Sequence, residues 1–296
     1  MASIAQSRSA MAKPSTPCPV CDDGRQVRRL FEKQAIPYHR CLACGFVFSK
    51  PAVNANLAND FEGYERSYLQ YFAPSDEDER NLVALLGWVE QTCALHGQRV
   101  LDVGSGSGKL VRFLRHRGVD AYGLEPAEPL YSRFLASDPF FVHQTIEDYA
   151  AGSSGKEFGV IFACDVIEHL ERPDLFLRDA SRLLRPGGTL IVSTPDVGSV
   201  FARVCGKHWH FYNQYHLSYL SRRTLGSMAA RYGLREVGHT HLPRLKSVGF
   251  LLEYFSNFVT NGWRIPTHNR LDQRIVRLNL FDTMTLAFRG EADSPN

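Results

Sequence analysis

Several common features are missing from this sequence, and each absence narrows the function. No uninterrupted apolar run reaches the ~20 residues that a membrane-spanning helix requires, so the chain is not expected to cross a bilayer. Residues 1–15 lack the apolar core of a signal peptide; they are small, polar and Pro-containing, which predicts a disordered tail. Charge of one sign is scarce: 34 Lys and Arg against 31 Asp and Glu leave a net +3. A dedicated nucleic-acid binder shows a basic stripe or a much higher pI, so RNA and DNA are disfavoured as partners. The seven cysteines are odd in number and do not read as a disulfide framework, and a reducing cytoplasm is the expected compartment. What remains is 44% apolar and 22% charged over 296 residues, enough for one catalytic domain with a sizeable core plus a small accessory module.

Four of the cysteines stand in two C-x-x-C pairs, Cys18 with Cys21 and Cys41 with Cys44, and nineteen residues separate the pairs. Zinc prefers four soft ligands in a tetrahedron, and two such knuckles across a hairpin supply them. A redox C-x-x-C or four unrelated thiols are the alternatives. Strands are expected over 27–31, 36–39 and 46–48, giving a zinc ribbon over 16–50. So short a module cannot build a core alone, so the zinc is expected to be structural. Cys93, Cys164 and Cys205 lie singly in apolar contexts. Residues 51–77, with Tyr64, Tyr68, Tyr71 and Phe72 among polar neighbours, read as a linker that either anchors on the next domain or touches an acceptor.

From about Asp78 the pattern changes. Leu82, Leu85, Leu86, Val89 and Cys93 recur at helical spacing. Residues 99–104 form an apolar run that reads as a buried strand, followed by Gly104-Ser-Gly106-Ser-Gly108 and a helix through Leu110, Phe113 and Leu114. Strand, glycine loop and helix form the nucleotide-binding arrangement of a doubly wound sheet. Position 109 is Lys, where the dinucleotide fingerprint needs Gly, which disfavours an NAD-dependent oxidoreductase. The alternation continues with strands over 121–124, 140–146, 158–163 and 189–193, a helix capped by Asp174, and a Pro186-Gly187-Gly188 break. Glu125, at the end of the second strand, suits a pair of ribose hydroxyls.

Taken together, LDVGSGSG, LEP, DVIEHL and LLRPGGTLIVSTPD resemble class I S-adenosylmethionine-dependent methyltransferases, over about 78–240 and a final strand near 282–288. The leader CPVC…CLACGFVFSKP and the segment from His208-Trp209-His210-Phe211 to His216-Leu217-Ser218 resemble a bacterial subset with a zinc-binding front end. The fold implied is α/β: a Rossmann-like sheet with helices on both faces, preceded by a small zinc ribbon. The catalytic domain would span 78–296, with a helical insertion about 243–280. S-adenosylmethionine is the implied cofactor. The resemblance implies that Asp102, Gly104, Ser105, Gly106 and Gly108 hold its methionine end and Glu125 its ribose. Thr145, Ile146 and Glu147 would lie near adenine, with Thr145, Glu147 or Asp148 making the contact, and Cys164 and Asp165 would line the methyl-bearing side.

A methyl acceptor with a hydroxyl or acidic carbon needs a proton acceptor, and histidine suits neutral pH. His169 follows the fourth strand, and His216 follows the aromatic segment of Trp209, Phe211, Tyr212 and Tyr215. Either is a candidate base, with His216 favoured if those aromatics wall an acceptor pocket; His210 is a further candidate to face the substrate. A backbone-bonded core histidine and a packed aromatic loop are the opposing readings. Glu168 and Glu171 are expected to face solvent. Phe250, Leu251, Tyr254, Phe255 and Phe258 form a helical stripe that would serve as a lid, a dimer face, a peripheral membrane contact or plain core. The acceptor is expected to be a small molecule. RNA or protein methylation with the ribbon as reader, and a non-catalytic binding module, are the alternatives.

Overall fold

The computed structural model describes residues 17–21, 26–50, 76–248 and 274–292. Tyr64, Tyr68, Tyr71, Phe72 and the stripe from Phe250 to Phe258 lie outside them, as does the expected N-terminal tail.

Seven strands form the main sheet: β4 (Arg99–Val103), β5 (Asp120–Leu124), β6 (Phe141–Val142), β7 (Phe158–Cys164), β8 (Leu184–Pro195), β10 (Leu234–Thr240) and β13 (Thr283–Gly290). Their order is β10-β13-β8-β7-β4-β5-β6. β13 runs antiparallel to β8 and β10, while β4 to β8 are mutually parallel. The chain leaves β4 toward β5 and β6, then returns to place β7 on the other side of β4. That reversal opens a crevice beyond the carboxyl ends of β4 and β7, where doubly wound sheets bind ligands.

The parallel strands are buried on both faces, which is why they read as near-continuous apolar runs. On one face α1 (Asp76–Val89) and α2 (Lys109–His116) bury Leu85, Leu86, Val89, Leu110 and Leu114. On the other, α3 (Ile146–Gly152), α4 (Pro173–Leu183) and α5 (Arg222–Ala230) bury Ile146, Phe176, Leu177, Leu225 and Met228. Between Phe158 and Val160 the register with β8 shifts from Leu184 to Thr189, so the expected Pro-Gly-Gly break becomes a loop within β8's pairing.

A second sheet, antiparallel and four-stranded, has the order β1-β2-β3-β9. β1 (Val27–Lys33), β2 (Ile36–Cys41) and β3 (Val47–Ser49) come from the expected ribbon, but β9 (Ser218–Tyr219) comes from the catalytic domain. Tyr38, Val47, Trp209, Tyr212 and Tyr219 share one buried cluster, so the ribbon and the aromatic segment have a joint core. A module too short to bury its own apolar face thus borrows one.

Four local expectations are corrected. The third strand covers only Phe141–Val142, because Thr145 caps α3, its hydroxyl accepting from the Asp148 N–H at 3.1 Å. Asp174 is not the cap of α4: Pro173 opens that helix, and Asp174 is buried in its first turn, bonded twice by Arg172. Within the expected helical insertion, the described ends are instead strands, β11 (Arg244–Ser247) pairing antiparallel with β12 (Ile275–Leu278). The fourth concerns Glu168 and is described with the site below.

Candidate active site

The glycine loop leaves β4 with Gly104, Gly106 and Gly108 all at positive φ, between 57° and 77°. Only glycine holds that conformation without strain. A Cβ at Gly104 would also fall 2.7 Å from Val166, and one at Gly108 2.8 Å from Leu135. These glycines therefore serve close packing within the protein as well as any approach by a ligand. Ser105 turns inward, donating to the Asp102 carbonyl at 2.9 Å.

Glu125 is buried at the tip of β5. The Gly106 N–H donates to its Oε2 at 2.7 Å and the Ala127 N–H to its Oε1 at 2.8 Å. Two backbone bonds lock the carboxylate against the loop, and each oxygen keeps a lone pair. Nothing in the sequence pattern revealed this clasp. Asp102 is buried beside it; burial, reinforced by the charge of Glu125, pushes its carboxyl up to about 8. Burial also raises Glu125, against the pull of the two amides. Thr145, at the α3 cap, is half-buried, Ile146 is turned into the core, and Glu147 and Asp148 are exposed, so Thr145, Glu147 and Asp148 all leave polar atoms near the surface there.

Across the crevice, Cys164 ends β7 and Asp165 follows with φ 55°, a left-handed conformation that is uncommon outside glycine. The Arg244 guanidinium of β11 holds both Asp165 oxygens, at 2.8 and 3.1 Å. Burial alone would raise the Asp165 carboxyl, but Arg244 brings it below the usual value. Burial drives the Cys164 thiol well up, so it stays protonated.

The turn after Asp165 carries Glu168 and His169. Glu168 is only 2% exposed, not solvent-facing as its sequence context implied, and Thr194 of β8 donates to its Oε2 at 2.9 Å. Burial, with Asp165 nearby, pushes its carboxyl up to about 8. His169 Nδ1 donates to the Tyr215 carbonyl at 2.9 Å, which leaves Nε2 carrying the lone pair. His216 lies with its ring centroid 4.9 Å from that of His169, although the two are far apart in sequence. Phe211 stacks on His216, centroids 5.7 Å apart. Burial lowers both imidazoles, His216 to about 3 with help from His169, so both are neutral at pH 7. His210 Nδ1 lies 3.8 Å from an Asp282 oxygen, and its ring packs on Phe211 with centroids 3.9 Å apart. Trp209 and Tyr212, candidates for either a pocket wall or a packed loop, are buried against the ribbon, with the Trp209 indole N–H on Asp282 at 3.0 Å. The packed-loop reading holds for those two rings.

The four ribbon cysteines also converge. Cys18 and Cys44 sulfurs lie 3.7 Å apart, Cys21 and Cys41 3.5 Å, and all four fall within 4.8 Å of one another. Tetrahedral zinc with bonds of about 2.3 Å spaces its sulfurs by about 3.8 Å, so the donor set fits that ion. Gly45, at φ 77°, turns the second knuckle so that its N–H reaches the Cys41 carbonyl at 2.9 Å.

A doubly wound sheet, a glycine loop clasped by an acidic residue on the neighbouring strand, and a polar cluster across the crevice define a Rossmann-like transferase site. The profile of the methyltransferase-domain family matches residues 59–238, more than half of the chain. The chain belongs to that family, and its catalytic domain is of the class I S-adenosylmethionine-dependent kind. A ubiquinone biosynthesis O-methyltransferase of Escherichia coli O139:H28 is 32% identical over 116 residues, 37% of this chain and 48% of that one. The chain thus matches about half the length of such curated relatives. Among solved structures, a SAM-dependent methyltransferase of Archaeoglobus fulgidus has the same fold, with TM-score 0.52 and 15% identity, covering 76% of this chain and 99% of that one. So does a magnesium protoporphyrin IX methyltransferase of Synechocystis PCC 6803 with bound SAH, with TM-score 0.53 and 13% identity, covering 79% and 98%. Among the described residues, no helix is long and apolar enough to cross a membrane.

Proposed function

We propose that the protein methylates a small-molecule acceptor with S-adenosylmethionine. The observation that carries this reading is the facing of two unlike sites across one crevice: the Gly106–Glu125 clasp on one side, and Asp165, His169 and His216 on the other. In this reading Asp102 and the loop of Gly104, Ser105, Gly106 and Gly108 hold the methionine end. Glu125 uses its remaining lone pairs for the ribose hydroxyls, and Thr145, Ile146 and Glu147 border the adenine. Cys164 and Asp165 line the methyl-bearing side. The bound sulfonium supplies an electrophilic methyl; the protein's task is to align it with the acceptor.

His169 and His216 serve the acceptor. Being neutral, they offer lone pairs to an incoming hydroxyl, although the burial that keeps them neutral opposes full proton uptake, most strongly at His216. The ribbon carries a structural zinc through Cys18, Cys21, Cys41 and Cys44, and the seven thiols, none in a disulfide, suit a reducing cytoplasm.

Purified protein mixed with methyl-labelled cofactor and a panel of phenolic, quinol, sugar and lipid hydroxyl acceptors tests the reading. Label transfer to one class supports it. Cofactor binding without transfer to any of them favours a binding module, and transfer to RNA or protein favours the ribbon as reader.

A further inference from the structure

Glu168, His169 and His216 form a second cluster of ligating atoms, separate from the four cysteines. One carboxylate oxygen and one ring nitrogen from each histidine all lie within 4.8 Å of one another. Glu168 and His216 are buried, at 2% and 8% exposure, and the His216 Nδ1 is buried with no hydrogen-bond partner. An unpaired polar atom in such a place is costly unless something fills its valence.

The surroundings orient the donors outward from the backbone and toward each other. Thr194 fixes one oxygen of Glu168 and so the orientation of its carboxylate. The Tyr215 carbonyl takes the Nδ1–H of His169, which is how ligating histidines are held in the tautomer that exposes Nε2. The Glu168 carbonyl accepts from the Leu217 N–H at 2.8 Å, tying the turn of the first two donors to the segment of the third. The Asp165 carboxylate nearby is already neutralised by Arg244, so once Glu168 gives up its proton to an incoming cation the cluster's own charge is that of one carboxylate.

We propose that Glu168, His169 and His216 bind a divalent first-row transition-metal ion whose open position takes the oxygen of the methyl acceptor. Two imidazoles and one carboxylate select manganese, iron, cobalt or zinc over magnesium or calcium, which prefer all-oxygen sites. The three donors must close by about an ångström to meet metal–ligand bonds near 2.1 Å, within the reach of side-chain rotation. With the ion in place, the histidine lone pairs go to the metal and act on the acceptor through it: the hydroxyl ligates the ion and loses its proton to water. The oxygen then forms a bond to the methyl carbon as the carbon–sulfur bond breaks and its electron pair returns to sulfur, giving a methyl ether and a neutral thioether. The step rests on the methyltransferase reading above, but the metal site itself does not.

The test uses the full chain with its ribbon zinc in place, titrated with cobalt(II). Wild type is expected to take up one cobalt per chain with visible d–d bands and no thiolate charge-transfer band, since no sulfur ligates. Glu168→Gln, which keeps the shape and the Thr194 contact, and His216→Ala are each expected to weaken uptake at least tenfold, with melting temperatures reported alongside. Absence of such bands in a folded wild type, or wild-type uptake in both variants, overturns the site. Cobalt uptake without methyl transfer to any acceptor leaves the site standing and removes the reaction assigned to it. Full-rate transfer by protein whose Glu168–His169–His216 site is metal-free overturns the acceptor role.

Discussion

The two sides of the crevice are built in opposite ways. The side formed by β4, the glycine loop and β5 is local: Gly106 and Glu125 are 19 residues apart and joined by a hydrogen bond between neighbouring parallel strands. The histidine side is assembled from distant pieces. Ser49 of the ribbon donates to the His216 carbonyl at 2.8 Å across 167 residues, its N–H reaches the Leu217 carbonyl, and β3 pairs with β9 immediately beyond. On one face of the sheet the first side rests on a core without ribbon residues, while on the other face Phe46 and Phe48 of the ribbon join the core; the second side depends on a ribbon that itself lacks a private core. The lesson is that an accessory module can act on chemistry by bracing a loop.

Removing the ribbon metal should break this symmetry most severely. Structural zinc sites contribute on the order of 10 kcal/mol to the folding of isolated fingers. Cys41→Ser, or chelation, is therefore expected to release one zinc per chain and unfold the β1–β3 hairpins. Turnover should be abolished while cofactor affinity changes by less than about threefold, under 1 kcal/mol. Metal analysis, circular dichroism and calorimetry with the demethylated cofactor read the three quantities. Equal loss on both sides would show that the sheet core also depends on the ribbon.

Next in size is His216→Ala, which acts on the acceptor side without removing the ribbon. Turnover is expected to fall about 10²–10⁴-fold, the range for loss of a group that handles the acceptor's proton, with cofactor affinity near that of wild type. Steady-state rates beside a binding isotherm decide it, and a wild-type rate in both His216→Ala and His169→Ala would remove the histidines from the reaction. Smaller again is Glu125→Ala on the opposite side. Loss of one charge-assisted hydrogen bond costs about 1.5–3 kcal/mol, a roughly ten- to hundredfold weaker cofactor Kd. Because Glu125 also clasps Gly106, Glu125→Gln should recover part of that affinity if loop order, and not charge alone, is what matters.

This difference in construction also sets what was legible in the sequence. The order of strands and helices from α1 to β8, and the convergence of loop and acidic residue, follow from apolar periodicity and glycine placement over short windows. Glu168 was misread because an acid in a turn with Asp165 and Glu171 three residues to either side resembles a solvated face; its burial goes with Thr194, one strand further on. The meeting of His169 with His216, and the loss of Trp209 and Tyr212 to the ribbon interface, depend on the β3–β9 pairing. No local pattern announces a two-residue strand such as Ser218–Tyr219. The C-terminal strands β11 and β12 were hidden for a similar reason, since each is four residues long and pairs only with the other.

The smallest expected effect concerns Asp102, and it separates stability from function on the cofactor side. Burial, with the adjacent Glu125 charge, places its folded-state carboxyl at about 8, against roughly 3.9 when unfolded. Between those values the cofactor-free folded chain retains a proton that the unfolded chain has released. Stability must then fall as pH rises through this window, and the penalty is complete above about 8. Asp102→Asn is neutral at every pH and carries no such penalty. It should raise the melting temperature of the cofactor-free protein by a few degrees at pH 8–9, since about 1 kcal/mol corresponds to roughly 2–4 °C for a domain of this size, and by little at pH 5. Under the proposed function the same change removes the carboxylate offered to the ammonium of the methionine end, so the stabler protein should bind cofactor more weakly. Thermal melts across pH with and without cofactor test both halves. A variant that melts lower than wild type at pH 9, or binds cofactor as tightly, would mean that Asp102 is ionised and satisfied within the protein itself.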